Sequence, residues 1–137
     1  MSRRSARTNA FYLLFQMDFN REDEYEQVKQ IFFAEKEEPV TEEDKQFILQ
    51  EVEGTKENMA EIDQLIGKCA KSWDTDRMSK VDLAILRLAV YEIKYSEATP
   101  VGVAINEAVE LAKKFSSDEA PSFINGILGK IAKDEMD

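Results

Sequence analysis

One apolar stripe constrains this chain more than any other feature. Ile48, Val52, Thr55, Met59, Ile62, Ile66, Cys69 and Trp73 recur at alternating intervals of four and three residues. That spacing keeps side chains on one seam of an α-helix. It predicts a single continuous helix of about 30 residues, ~45 Å long at the α-helical rise. Thr41-Glu-Glu-Asp44 supplies its start, with a hydroxyl N-cap and acids in the first turn. Gly54 lies inside it, costing about 1 kcal/mol against alanine and inviting a bend. A helix of this length cannot bury its own seam. The neighbouring segments also carry apolar faces, so packing within the chain is expected rather than a coiled-coil dimer.

Those neighbours read as helices too, because only 5 Gly and 3 Pro punctuate the sequence. Residues 3–19 carry a stripe of Ala6, Ala10, Leu13, Leu14 and Met17. Residues 21–38 place Tyr25, Val28, Ile31 and Phe32 at helical spacing beside a solvated acidic face, ending near Pro39. Ser79-Lys-Val-Asp82 reads as a second capping box and opens residues 81–95, which are apolar on nearly every face and so belong mid-domain. Arg87 and Glu92 within that run require partners or a rim position. Thr99-Pro100 starts the next helix with proline at its first position and Ile105, Val109, Ala112 and Phe115 as its core. Ser116-Ser-Asp-Glu119 opens the last, whose core is Phe123, Ile124, Ile127, Leu128 and Ile131. Gly126 and Gly129 suit a close approach to another helix. The expected class is all-α, in one domain spanning residues 1–137.

Composition narrows function. The absence of histidine removes the commonest general base, the usual activated-nucleophile pairs and most zinc sites. The one cysteine, Cys69, forms no intramolecular disulfide and reads as a small buried apolar residue. Asn106, Glu107 and Glu110 are more simply caps and surface than metal carboxylates, and no phosphate-loop glycine pattern occurs. No catalytic residue, cofactor or metal is expected. No apolar run reaches the ~18 residues of a membrane span, and a cytoplasmic protein is the default.

The formal net charge is -10, yet residues 1–8 hold three arginines and no acid. Arginines in the first turns of a helix sit at the positive end of its dipole, a mildly unfavourable place. A phosphate-bearing partner explains them, and an acidic remainder suits a basic protein. At 100° per residue Arg4, Arg7, Phe11 and Phe15 share one face. Arginine beside aromatic rings is how proteins hold unpaired bases; periodicity alone favours the other reading, in which a second layer of helices buries Phe11 and Phe15.

Four stretches carry a family resemblance. Arg3-Arg-Ser-Ala-Arg7 with Leu14-Phe-Gln-Met-Asp18, then Ala84-Ile-Leu-Arg-Leu-Ala-Val-Tyr-Glu92, then Pro100 with Val103-Ala-Ile-Asn-Glu-Ala-Val-Glu-Leu-Ala-Lys-Lys-Phe115, and Ser122-Phe-Ile-Asn-Gly-Ile-Leu128 together resemble the bacterial transcription antitermination factor NusB family. The resemblance implies two packed three-helix bundles sharing the long spine helix. It implies binding of the single-stranded boxA element of nascent RNA together with NusE, a basic small-subunit ribosomal protein. It further implies entry into the RNA polymerase antitermination complex with other Nus factors, notably on ribosomal RNA operons. Matched by position, Arg3, Arg4 and Arg7 correspond to the family's RNA-contacting arginine motif. Phe15 stands where the pattern has tyrosine, keeping the ring and losing the hydroxyl. Glu119 and Phe123 fall at RNA-binding positions, and Asp82 at the acidic contact for NusE. Arg87, Tyr91, Asn106, Asn125 and Gly126 are motif residues of structural character. A helical interaction module of the same fold without RNA binding is the alternative. Monomer and homodimer both stay open.

Overall fold

The computed structural model describes residues 1–70 and 78–136. Among these are seven α-helices, one 3-10 turn and no strand. The helices are α1 (Arg3–Met17), α2 (Tyr25–Ala34), α3 (Glu42–Glu57), α4 (Met59–Cys69), α5 (Lys80–Tyr95), α6 (Val101–Phe115) and α7 (Ala120–Met136), with the 3-10 turn at Glu22–Glu24. They form two compact units, Met1–Glu53 and Gly54–Asp137. None of the described helices is long and apolar enough to cross a membrane.

In the first unit α1 packs against α2. The stripe Ala6, Ala10, Leu13, Leu14 and Met17 is buried throughout. From α2 only Phe32 is buried, whereas Ile31 is about half exposed. The start of α3 is the expected reciprocal box: Asp44 N–H donates to Thr41 Oγ1 and Thr41 N–H to Asp44 Oδ2, each at 3.1 Å.

The continuous spine helix is not what forms. The stripe is divided between α3 and α4 at Asn58, whose backbone leaves the helical range (φ -108, ψ 17). The Asn58 side-chain amide donates to the Gly54 carbonyl at 2.8 Å, competing with the backbone ladder for the same acceptor. The apolar seam survives the break, since Ile48, Val52, Thr55, Ile62, Ile66 and Cys69 remain buried. Trp73 lies outside the described residues. Gly54 is not the bend. A Cβ there would stand 2.2 Å from Tyr91 Cε1, so the glycine admits the Tyr91 ring against the α3 backbone.

In the second unit α5 packs against α4, α6 and α7 and is buried over most of its surface. The Arg87 guanidinium donates twice to Asp63 on α4, Nε to Oδ1 at 2.8 Å and Nη2 to Oδ2 at 2.9 Å. Glu92 is 1% exposed. Three expectations require correction. Pro100 is the N-cap of α6 rather than its first helical residue, and its carbonyl accepts from Val103 and Ala104. The buried face of α6 is Ala104, Ala108, Leu111 and Ala112, leaving Ile105 and Val109 half-buried. Gly126 and Gly129 face open space, with nothing near an added Cβ; α7 buries Ala120, Ile124, Ile127, Leu128 and Ile131 instead.

Candidate nucleic-acid interface

The arginine-bearing end of α1 is built by a cap that uses no acid. Ser2 is the N-cap and its hydroxyl accepts from Ser5 N–H at 3.0 Å. With no carboxylate in the first turn, the dipole's positive end adds to Arg3 and Arg4 rather than being cancelled. Both side chains are exposed. The Arg3 guanidinium lies 4.0 Å from the centroid of the Phe47 ring on α3, a cation–π contact that restrains a long side chain at the surface. Acids bound this tip. The Met1 ammonium pairs with Asp44 Oδ2 at 3.2 Å, and Glu38 accepts from the Ser5 hydroxyl. Asp44 is held below the usual carboxylate range, chiefly by the Thr41 N–H, with the Thr41 hydroxyl and the Met1 ammonium adding to it against an opposing effect of burial. The positive surface is therefore small.

Arg7 departs from the sequence expectation of a surface cation. It is 5% exposed, with its guanidinium 5.7 Å from the same Phe47 ring. The face holding Arg4, Arg7, Phe11 and Phe15 is thus not a continuous open strip. Its aromatic part is graded along the helix: Phe11 is buried, Phe15 half-buried and Phe19 63% exposed. Their rings contact in series, 6.1 Å from Phe11 to Phe15 and 5.1 Å from Phe15 to Phe19. The buried reading holds for Phe11, while Phe15 keeps part of its ring accessible.

The other three site residues lie in the second unit and converge there. Asp82, in the first turn of α5, Glu119, just before α7, and Phe123, one turn into it, line one pocket of about 220 Å³ with Met78, Ser79 and Ser117. The Ser79–Asp82 capping box is half formed. Asp82 N–H donates to Ser79 Oγ at 3.0 Å, but the Asp82 carboxylate accepts from the Ser116 hydroxyl at 2.5 Å. That contact ties the start of α5 to the end of α6. Glu119 is exposed and its carbonyl accepts from Phe123 N–H. Two carboxylates over an apolar floor favour a group that donates hydrogen bonds, such as a base amino group or a cationic side chain. Among the described residues no three His, Cys, Asp or Glu side chains are arranged to hold a metal ion.

The NusB family model matches residues 4–133. The chain belongs to the NusB family. It is 46% identical to the transcription antitermination protein NusB of Agathobacter rectalis over 132 residues, 96% of this chain and all of that one. Its fold is similar to that of T. maritima NusB, with a TM-score of 0.86 at 36% identity over 97% of this chain and 92% of that one. It is also similar to a chain in the crystal structure of antitermination factors NusB and NusE in complex with dsRNA, with a TM-score of 0.84 and 27% identity over 96% of each chain. Family membership supports the arrangement of helices around α5. Arg7 shows that a motif position in a NusB-family chain is not by itself a surface position.

Proposed function

We propose that this chain is a non-enzymatic, cytoplasmic transcription antitermination factor. It acts as one domain that binds boxA RNA together with the basic ribosomal protein NusE. The resulting assembly joins RNA polymerase and other Nus factors, notably on ribosomal RNA operons. The observation that carries this reading is the exposed Arg3–Arg4 tip at an acid-free helix N-terminus, on a chain of formal net charge -10 in a family of antitermination proteins.

Arg3 and Arg4 contact phosphate, and the accessible part of Phe15 offers a stacking ring. Arg7 supports the tip from beneath through Phe47. Glu119 and Phe123 receive a base at the second-unit pocket, with Glu119 as hydrogen-bond acceptor. Asp82 meets the basic partner. Two exposed arginines neutralise about two phosphates, so single-strand affinity falls with salt at a log–log slope of about -1.4. That is too little for tight binding alone, and the second protein supplies the rest. An anisotropy titration of labelled boxA RNA tests this. Weak binding by the chain alone, tightened at least tenfold when NusE is added, is the expected result. NusE binding with no RNA binding in either condition would favour the interaction-module alternative.

A further inference from the structure

Three large apolar side chains stand out as exposed among the described residues: Phe19, Ile31 and Val103. Two of them share one place. Phe19 and Ile31, with Gln16, Asn20 and Val28, line a groove of about 330 Å³ between the end of α1 and α2. Exposed apolar surface gathered in a concavity marks an interaction site more than scattered single residues do.

The surrounding charge indicates the occupant. On α2, Glu24 precedes Val28 by four residues and Glu35 follows Ile31 by four, so an acid lies one turn beyond each end of the apolar pair on the same face. Asp18 caps α1, and neither α1 nor α2 has a basic residue in its last turn to offset the negative end of its dipole. The nearby cations are already engaged. Arg21 pairs with Asp23 and Glu24, and Lys29 with Glu26 and Glu53 at 3.0 Å each.

We propose that this groove is a docking site for a basic, apolar-faced segment of a partner protein. Its apolar residues fill the space between Phe19 and Ile31 while its lysines or arginines meet Glu35 and compete with Arg21 for Glu24. Nucleic acid is repelled by the same acids. A second copy of this chain would bring an identical acidic rim against itself across a twofold contact. The site is separate from the arginine tip, so its test does not depend on RNA binding.

The probe is a synthetic amphipathic helix of leucine and lysine in heptad spacing, titrated into the isotope-labelled full chain. Amide shifts centred on Phe19, Val28 and Ile31 are expected, with no binding by the leucine–glutamate counterpart. Phe19→Ser with Ile31→Ser weakens binding about tenfold or more. Glu24→Gln with Glu35→Gln weakens it and flattens its salt dependence, and carries the test alone if the apolar variant unfolds at lower temperature. Any of these outcomes would overturn the proposal: peptide shifts centred elsewhere; affinity unchanged in both variants; boxA RNA shifts centred on Val28 and Ile31 of α2; or self-association in sedimentation that the Phe19→Ser, Ile31→Ser variant abolishes.

Discussion

Glycines separate what local propensity rewards from what packing permits. Replacing Gly54 with alanine gains about 1 kcal/mol of helix propensity. The new methyl would sit 2.2 Å from Tyr91 Cε1 and 2.4 Å from Cζ, and overpacking of that kind costs about 1–3 kcal/mol. Gly54→Ala is therefore expected to lower the urea midpoint. Gly126→Ala and Gly129→Ala, with open space around the added Cβ, should raise it, each adding up to about 1 kcal/mol of stability. A stabilised Gly54→Ala would contradict the packing of Tyr91. Tyr95 gives a pH test. Burial first, then its 2.6 Å hydrogen bond to Glu61, pushes its phenol from 10.0 up to about 12. A raised pKa means the folded state favours the neutral phenol. Its stabilising contribution is complete below pH 10 and is lost as pH rises through about 12. In an ultraviolet phenolate titration the Tyr95 signal, assigned by its loss in Tyr95→Phe, should ionise late, and Glu61→Gln should bring it earlier. Ionisation of Tyr95 near 10.0 would rule that environment out.

Helix ends and phases are where local and tertiary forces divide. The Ser79 hydroxyl caps α5 through Asp82 N–H, so Ser79→Ala should cost about 1 kcal/mol in urea unfolding, and an unchanged midpoint would remove the cap from the account. Most of the fold was legible at this scale. The stripe of α1, the Thr41 box and the apolar α5 are set by amphipathic period and capping chemistry, which a sequence displays directly. The break at Asn58 was not, because the heptad stripe runs through it, and neither the turn of the Asn58 backbone nor its side-chain bond to the Gly54 carbonyl changes that spacing. The phase of α6 was misjudged for a related reason. Periodicity favours large residues such as Ile105 and Val109, whereas its buried face is largely alanine. In the candidate site, Arg3 and Arg4 were visible as a charge anomaly. The burial of Arg7 was not, since the Phe47 ring above it comes from another helix. Nor could spacing show that Asp82, Glu119 and Phe123 share a pocket, because α5, α6 and α7 must first pack to make it.

At the scale of the molecule, charge is the organising quantity. A chain of formal net charge -10 sets Arg3 and Arg4 at an acid-free helix tip, whereas the exposed Arg21 is paired with Asp23 and Glu24. Such a distribution suits a short nucleic acid at the tip and basic protein elsewhere. It makes RNA affinity sensitive to very few side chains. Arg7 is unsuited to testing this, since a buried charge reversal would endanger the fold. Arg3→Glu with Arg4→Glu is the direct variant, read by boxA RNA anisotropy with NusE present and by thermal unfolding of the same sample. RNA affinity is expected to fall by about a hundredfold while NusE binding and the unfolding temperature are retained. Wild-type RNA affinity in that variant would contradict this.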